Sequence, residues 1–130
     1  MKKILIVDDE PHNRTLLREI LEDFEEDGIK IFYAADGSEA LNILHAEKPG
    51  LMFLDIMLPD MDGLDICRRV KSSTGFEETF IVILTALSQD SDRIMALGVS
   101  DMFISKPFKI NLIKDVVNRV FGYAEISWQV

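Results

Sequence analysis

A chain of 130 residues with 48% apolar side chains is long enough to bury a substantial core within one compact domain, which excludes a disordered chain. Fourteen basic residues against twenty-three acidic ones leave a net charge of −9, which repels nucleic-acid phosphates and anionic headgroups and argues against direct nucleic-acid or membrane binding. The single cysteine, Cys67, rules out an internal disulfide, and neither a charged-then-apolar leader nor a run of about 18 apolar residues is found, so a cytoplasmic protein is expected.

In chain order, the first strand-sized apolar run is Lys3 to Val7. A helical face follows, with Leu16, Leu17, Ile20, Leu21 and Phe24 at i, i+1, i+4, i+5 and i+8. Lys30 to Ala34 is a second strand, after which Asp36 and Glu39 form a helix-capping pattern ahead of Ala40 and Leu41. Leu51 to Asp55 is a third strand. Pro59, Asp60, Asp62 and Gly63 then read as turn chemistry, and Leu64, Ile66, Cys67 and Val70 follow on a helical pattern with Cys67 as a small buried residue. Phe80 to Thr85 and Met102 to Ser105 complete five strands, and Leu112, Ile113, Val116, Val117, Val120 and Phe121 mark the last helix.

Strands alternating with helices predict a parallel sheet, because parallel neighbours need crossover connections. Uninterrupted apolar runs such as ILIV and FIVIL suit strands covered on both faces, so the expected class is a doubly wound α/β fold. Ligands of such folds sit beyond the carboxyl ends of the strands. There the chain places Asp8 and Asp9 after strand one, Asp55 at the end of strand three, Thr85 at the end of strand four and Lys106 after strand five. Two carboxylates ~4 Å apart near a protein surface repel by ~4 kcal/mol, so converging acids call for a hard divalent cation such as Mg²⁺.

An acid, a cation site, a hydroxyl and an ammonium are the parts for phosphoryl transfer onto a carboxylate. Asp55 is the expected nucleophile; Asp8 and Asp9 would hold the cation, Asp9 directly and Asp8 through water. The loop after Asp55 can supply the backbone carbonyl of Met57 to the metal, and Thr85 and Lys106 would bind phosphoryl oxygens. His12 reads as a solvated helix-start residue and His45 as a surface residue, neither of them a phosphodonor.

The segments ILIVDDEPHNR, AADGSEAL, LDIMLPDMDGLD, VILTA and SKPF, in this order, resemble the receiver domain of the two-component response regulator family over about Lys2 to Phe121. The resemblance implies a flavodoxin-like sheet of strand order 2-1-3-4-5 and phosphorylation of Asp55 by a histidine kinase or phosphotransfer protein with Mg²⁺. It also implies a cis Lys106-Pro107 peptide, a switch formed by Thr85 and Phe103, and Met57 and Leu87 flanking the cleft, where their apolar side chains are expected to restrict the attacking water. The expected organisation is a receiver over residues 1–122 and a tail or linker start over 123–130, signalling to a downstream protein or an attached output domain. Gly98 comes early for the family, so the helix around Asp92 to Ala96 should be short and no particular dimer mode is carried over. Two alternatives are an aspartate-nucleophile phosphatase and a receiver that is not phosphorylated. The phosphatase pattern places a second acid two residues after the nucleophile, where this chain has Met57, so no turnover of an external substrate is expected.

Overall fold

The computed structural model describes residues 2–76, 78–85, 98 and 100–122, with the backbone but not the side chain of Thr85. Among these residues the strands are β1 (Lys3–Val7), β2 (Lys30–Ala34), β3 (Leu51–Asp55), β4 (Phe80–Thr85) and β5 (Met102–Ser105). The helices are α1 (Pro11–Glu26), α2 (Gly37–Glu47), α3 (Gly63–Ser72) and α4 (Ile110–Phe121). The expected helix around Asp92 to Ala96 lies outside the described residues.

All strand pairs are parallel and the order is β2-β1-β3-β4-β5, as the resemblance implied. Strand alternation sorts the core into two layers. Leu5, Val7, Met52, Leu54, Ile81 and Ile83 face α2 and α3, while Ile4, Ile6, Leu51, Phe53, Val82 and Leu84 face α1 and α4. Both faces are covered, which is why the central strands carry no polar alternation.

Each helix turns its apolar stripe inward. Leu17, Ile20, Leu21 and Phe24 of α1 are buried, as are Ile113, Val116 and Val117 of α4. Pro11 opens α1 at a position where its missing N–H costs no hydrogen bond. Gly28 closes the helix at φ +96°, a conformation open to glycine, and this turns the chain toward β2. In α2 the Asp36 carboxylate accepts the Glu39 N–H at 2.8 Å, the cap expected from the sequence.

Candidate phosphoryl-transfer site

The register of the ladder brings the acids together. Val7 pairs with Leu54, so the next residues of the two central strands, Asp8 and Asp55, emerge side by side. The Asp8 N–H still donates to the Ala34 carbonyl at 3.0 Å, which keeps Asp8 in line with the sheet. Asp8 is 0% exposed and Asp55 8%, whereas Asp9 faces solvent. One carboxylate oxygen from each of the three lies within 4.8 Å of the others.

Lys106 follows the end of β5 and is joined to Pro107 by a cis peptide bond. Its Nζ donates to Asp55 Oδ2 at 2.9 Å and to Asp8 Oδ2 at 3.2 Å. The remaining oxygens of the two buried acids are also fixed: Asp8 Oδ1 accepts the Glu10 N–H and Asp55 Oδ1 accepts the Met57 N–H, both at 2.9 Å. Burial raises the pKa of Asp8 and the Asp55 charge adds to this, against the Glu10 N–H and the Lys106 charge. For Lys106, burial pulls the pKa down, but the hydrogen bond to Asp55 and the charges of Asp55 and Asp8 outweigh it and the net direction is up. Lys106 is therefore a permanent ammonium at neutral pH.

These oxygens suit a hard cation. The donor atoms of six-coordinate Mg²⁺ lie about 2.1 Å from the ion, hence roughly 3–4 Å from one another, close to the spread of the three carboxylates. One solvated and two buried carboxylates against one ammonium leave negative charge that a divalent ion would offset.

The β3–α3 loop is built with equal care. Met57 and Asp62 form an antiparallel bridge, and the Gly63 N–H donates to the Ile56 carbonyl at 2.9 Å. A Cβ on Gly63 would stand 2.6 Å from Ile56 Cα and 2.8 Å from the Asp55 carbonyl oxygen, so only glycine lets α3 start this close to β3. Asp62 caps α3 by accepting the Leu64 N–H. Asp60 does more than the turn chemistry read from its neighbours: its two carboxylate oxygens accept the Gly37 and Ser38 N–H groups of α2 at 2.7 and 2.9 Å. Those bonds hold its pKa below the ordinary carboxylate value.

The structure thus brings Asp8, Asp9, Asp55 and Lys106 into one pocket. Thr85 ends β4 opposite Ser105, and its side chain and Leu87 lie outside the described residues. Met57, 62% exposed, stands on the loop after Asp55, and no acid occupies the place a phosphatase would need. Phe103 is half-buried on β5 against the α2–α3 layer. His12 and His45 are exposed and Cys67 is buried, as read from the sequence. Arg14 was not singled out, yet it donates through Nη1 to the Asp8 carbonyl at 2.7 Å. Its place one turn into a helix that begins beside Asp9 was the available signal.

The model of the response regulator receiver domain matches residues 4–118. The chain belongs to that family, the receiver domains of two-component response regulators. It is 35% identical over 127 residues to the alkaline phosphatase synthesis transcriptional regulatory protein PhoP of Bacillus subtilis, covering 97% of this chain and 51% of that protein. It is 41% identical to a probable transcriptional regulator ycf27 of Porphyridium aerugineum, covering 92% of this chain and 49% of the relative. The chain therefore spans about half the length of these curated relatives. Among solved structures, the signal receiver domain of a DNA-binding response regulator (merR) from Colwellia psychrerythraea superposes with a TM-score of 0.84 at 30% identity, over 94% of this chain and 99% of that one. Response regulator TrrA of Thermotoga maritima, solved in complex with Mg(2+)-BeF, gives 0.77 at 32% identity, over 92% and 99%.

Proposed function

We propose that this receiver accepts a phosphoryl group on Asp55 from a phosphohistidine of a histidine kinase or phosphotransfer protein, with Mg²⁺ held by Asp8, Asp9, Asp55 and the Met57 carbonyl. The observation that carries this reading is the Lys106 ammonium bridging two buried carboxylates beside a third, solvated one. The similarity to TrrA, solved with Mg(2+)-BeF, supports the choice of metal. When bound, Mg²⁺ supplies positive charge to the phosphoryl oxygens in the transition state.

In this reading an Asp55 carboxylate oxygen forms the new O–P bond as the P–N bond of the donor breaks, and the imidazole nitrogen leaves with the electron pair. The Met57 N–H orients the carboxylate, and Lys106 moves from carboxylate to phosphoryl oxygens without changing its protonation. Thr85 would take up a further phosphoryl oxygen, and Phe103 would repack with it to alter the surface that partners meet. The shift is limited by the difference in contacts between the two states. Among the described residues no helix is long and apolar enough to cross a membrane; the proposed organisation is a cytoplasmic receiver over residues 1–122 with a tail or linker start over 123–130. Two relatives are named as transcriptional regulators and are about twice as long, so a protein of that length would contact DNA through residues beyond this acidic domain.

Incubation with Mg²⁺ and acetyl phosphate should add one phosphoryl mass to the wild type and none to Asp55→Asn by intact-mass spectrometry. Equal labelling of the two would remove Asp55 from its role.

A further inference from the structure

The first backbone N–H groups of a helix lack intrahelical partners, and in α2 they are taken by two carboxylates of different origin. Asp36, the residue just before the helix, accepts from Glu39. Asp60, twenty-two and more residues away on the tip of the β3–α3 loop, accepts from Gly37 and Ser38. The side chain of Met61 lies over Gly37, where a Cβ would come within 2.3 Å of Met61 Cγ, so the loop tip grips the helix start through two adjacent residues.

The other end of this loop is the site. Its base is closed by the Met57–Asp62 bridge and the Gly63-to-Ile56 hydrogen bond, and the Met57 N–H donates to Asp55 Oδ1. A loop fixed only at its base could pivot there, carrying the Met57 amide and carbonyl with it. Fastening the tip to the rigid start of a helix removes that freedom. We propose that Asp60 is a positioning residue for phosphoryl transfer, clamping the loop to α2 so that the Met57 peptide holds the Asp55 carboxylate and meets the cation. This rests on the functional reading above and names a part that reading did not contain.

If Asp60 were only a helix cap, Asp36 would be its equivalent, since both serve the same helix start. The comparison therefore uses the full chain with Asp60→Ala, Asp60→Asn and Asp36→Ala, Mg²⁺ titration by calorimetry, and hydrogen exchange at the Met57 amide in Mg²⁺-free buffer. Asp60→Ala should weaken Mg²⁺ binding by about tenfold, the lower end of what outer partners of metal ligands supply, and speed Met57 exchange. Asp60→Asn, which keeps one acceptor oxygen, should fall between Asp60→Ala and wild type. Asp36→Ala should lower the unfolding temperature and leave both readouts at wild-type values. Should Asp60→Ala fail to fold, Asp60→Asn carries the test, and its equality with wild type in both readouts overturns the proposal. So does an Asp60→Ala affinity within about twofold of wild type, or an equal loss in Asp36→Ala. A wild type that binds no Mg²⁺ overturns the functional reading as well, whereas normal wild-type binding with unaffected variants overturns this inference alone.

Discussion

Around the amino ends of β3 and β4 three polar pairs are neutral. Thr79 Oγ1 donates to the Pro49 carbonyl at 2.8 Å, the Gly50 N–H to Lys3 at 3.1 Å and the Phe80 N–H to Gly50 at 2.9 Å. At the carboxyl ends the same sheet places Asp8 and Asp55 out of water with Lys106 between them and Asp9 at the rim. The first arrangement serves the fold, because each of these three donors meets an uncharged acceptor. The second works against the fold: ions that give up water for each other recover little net stability, and like charges repel. Stability is given up at the proposed site of phosphoryl transfer.

The sharpest test of this contrast is to neutralise or remove a polar group at each end. Thr79→Val leaves the buried Pro49 carbonyl without its donor and should destabilise by about 1–3 kcal/mol, read from denaturant midpoints. An unchanged midpoint would mean that the lower end is not held as described.

Asp8→Asn should act in the opposite direction in Mg²⁺-free buffer, raising stability at pH 7 by on the order of 1 kcal/mol through relief of desolvation and repulsion. The sign follows from linkage. Burial and the Asp55 charge raise the Asp8 pKa above its ordinary 3.8, so its carboxyl favours the folded state at lower pH and loses that contribution as pH rises through the folded value. The advantage of Asp8→Asn over wild type should therefore shrink as pH falls toward 3.8. A variant less stable than wild type at pH 7 would show that the ion pair with Lys106 outweighs the cost of the buried charge.

The smallest effect concerns the rim. Met57 is exposed beside the pocket, and replacing it with Gln should admit water and speed loss of the phosphoryl group by roughly threefold, under 1 kcal/mol in the barrier. An unchanged decay of the mass-labelled protein would clear Met57 of that role.

Much of this was legible in the sequence because strand ends in a parallel sheet are marked by polarity. Asp8, Asp55 and Lys106 interrupt or follow continuous apolar runs, and parallel pairing leaves their side chains one meeting place. The Asp36 cap was equally visible, since its partner is three residues away. Contacts across long separations were not. Asp60 sits among residues that suit any turn, and its partners on α2 come close only once β2, β1 and β3 are in order. Asp101 is similar: its carboxylate accepts the Ile81 N–H and pairs with Lys71, a junction between α3 and two strands that no local pattern announces.

The Asp8 amide remains bonded to Ala34 even though its side chain belongs to the site. The carboxylate of Asp8 is thus mounted on the sheet itself, beside Asp55 and under the Lys106 ammonium. A charge fixed to the ladder cannot escape its neighbour by moving, so under the proposed function the stiffness of the hydrogen-bonded strands would help to set how strongly the acids draw in a cation.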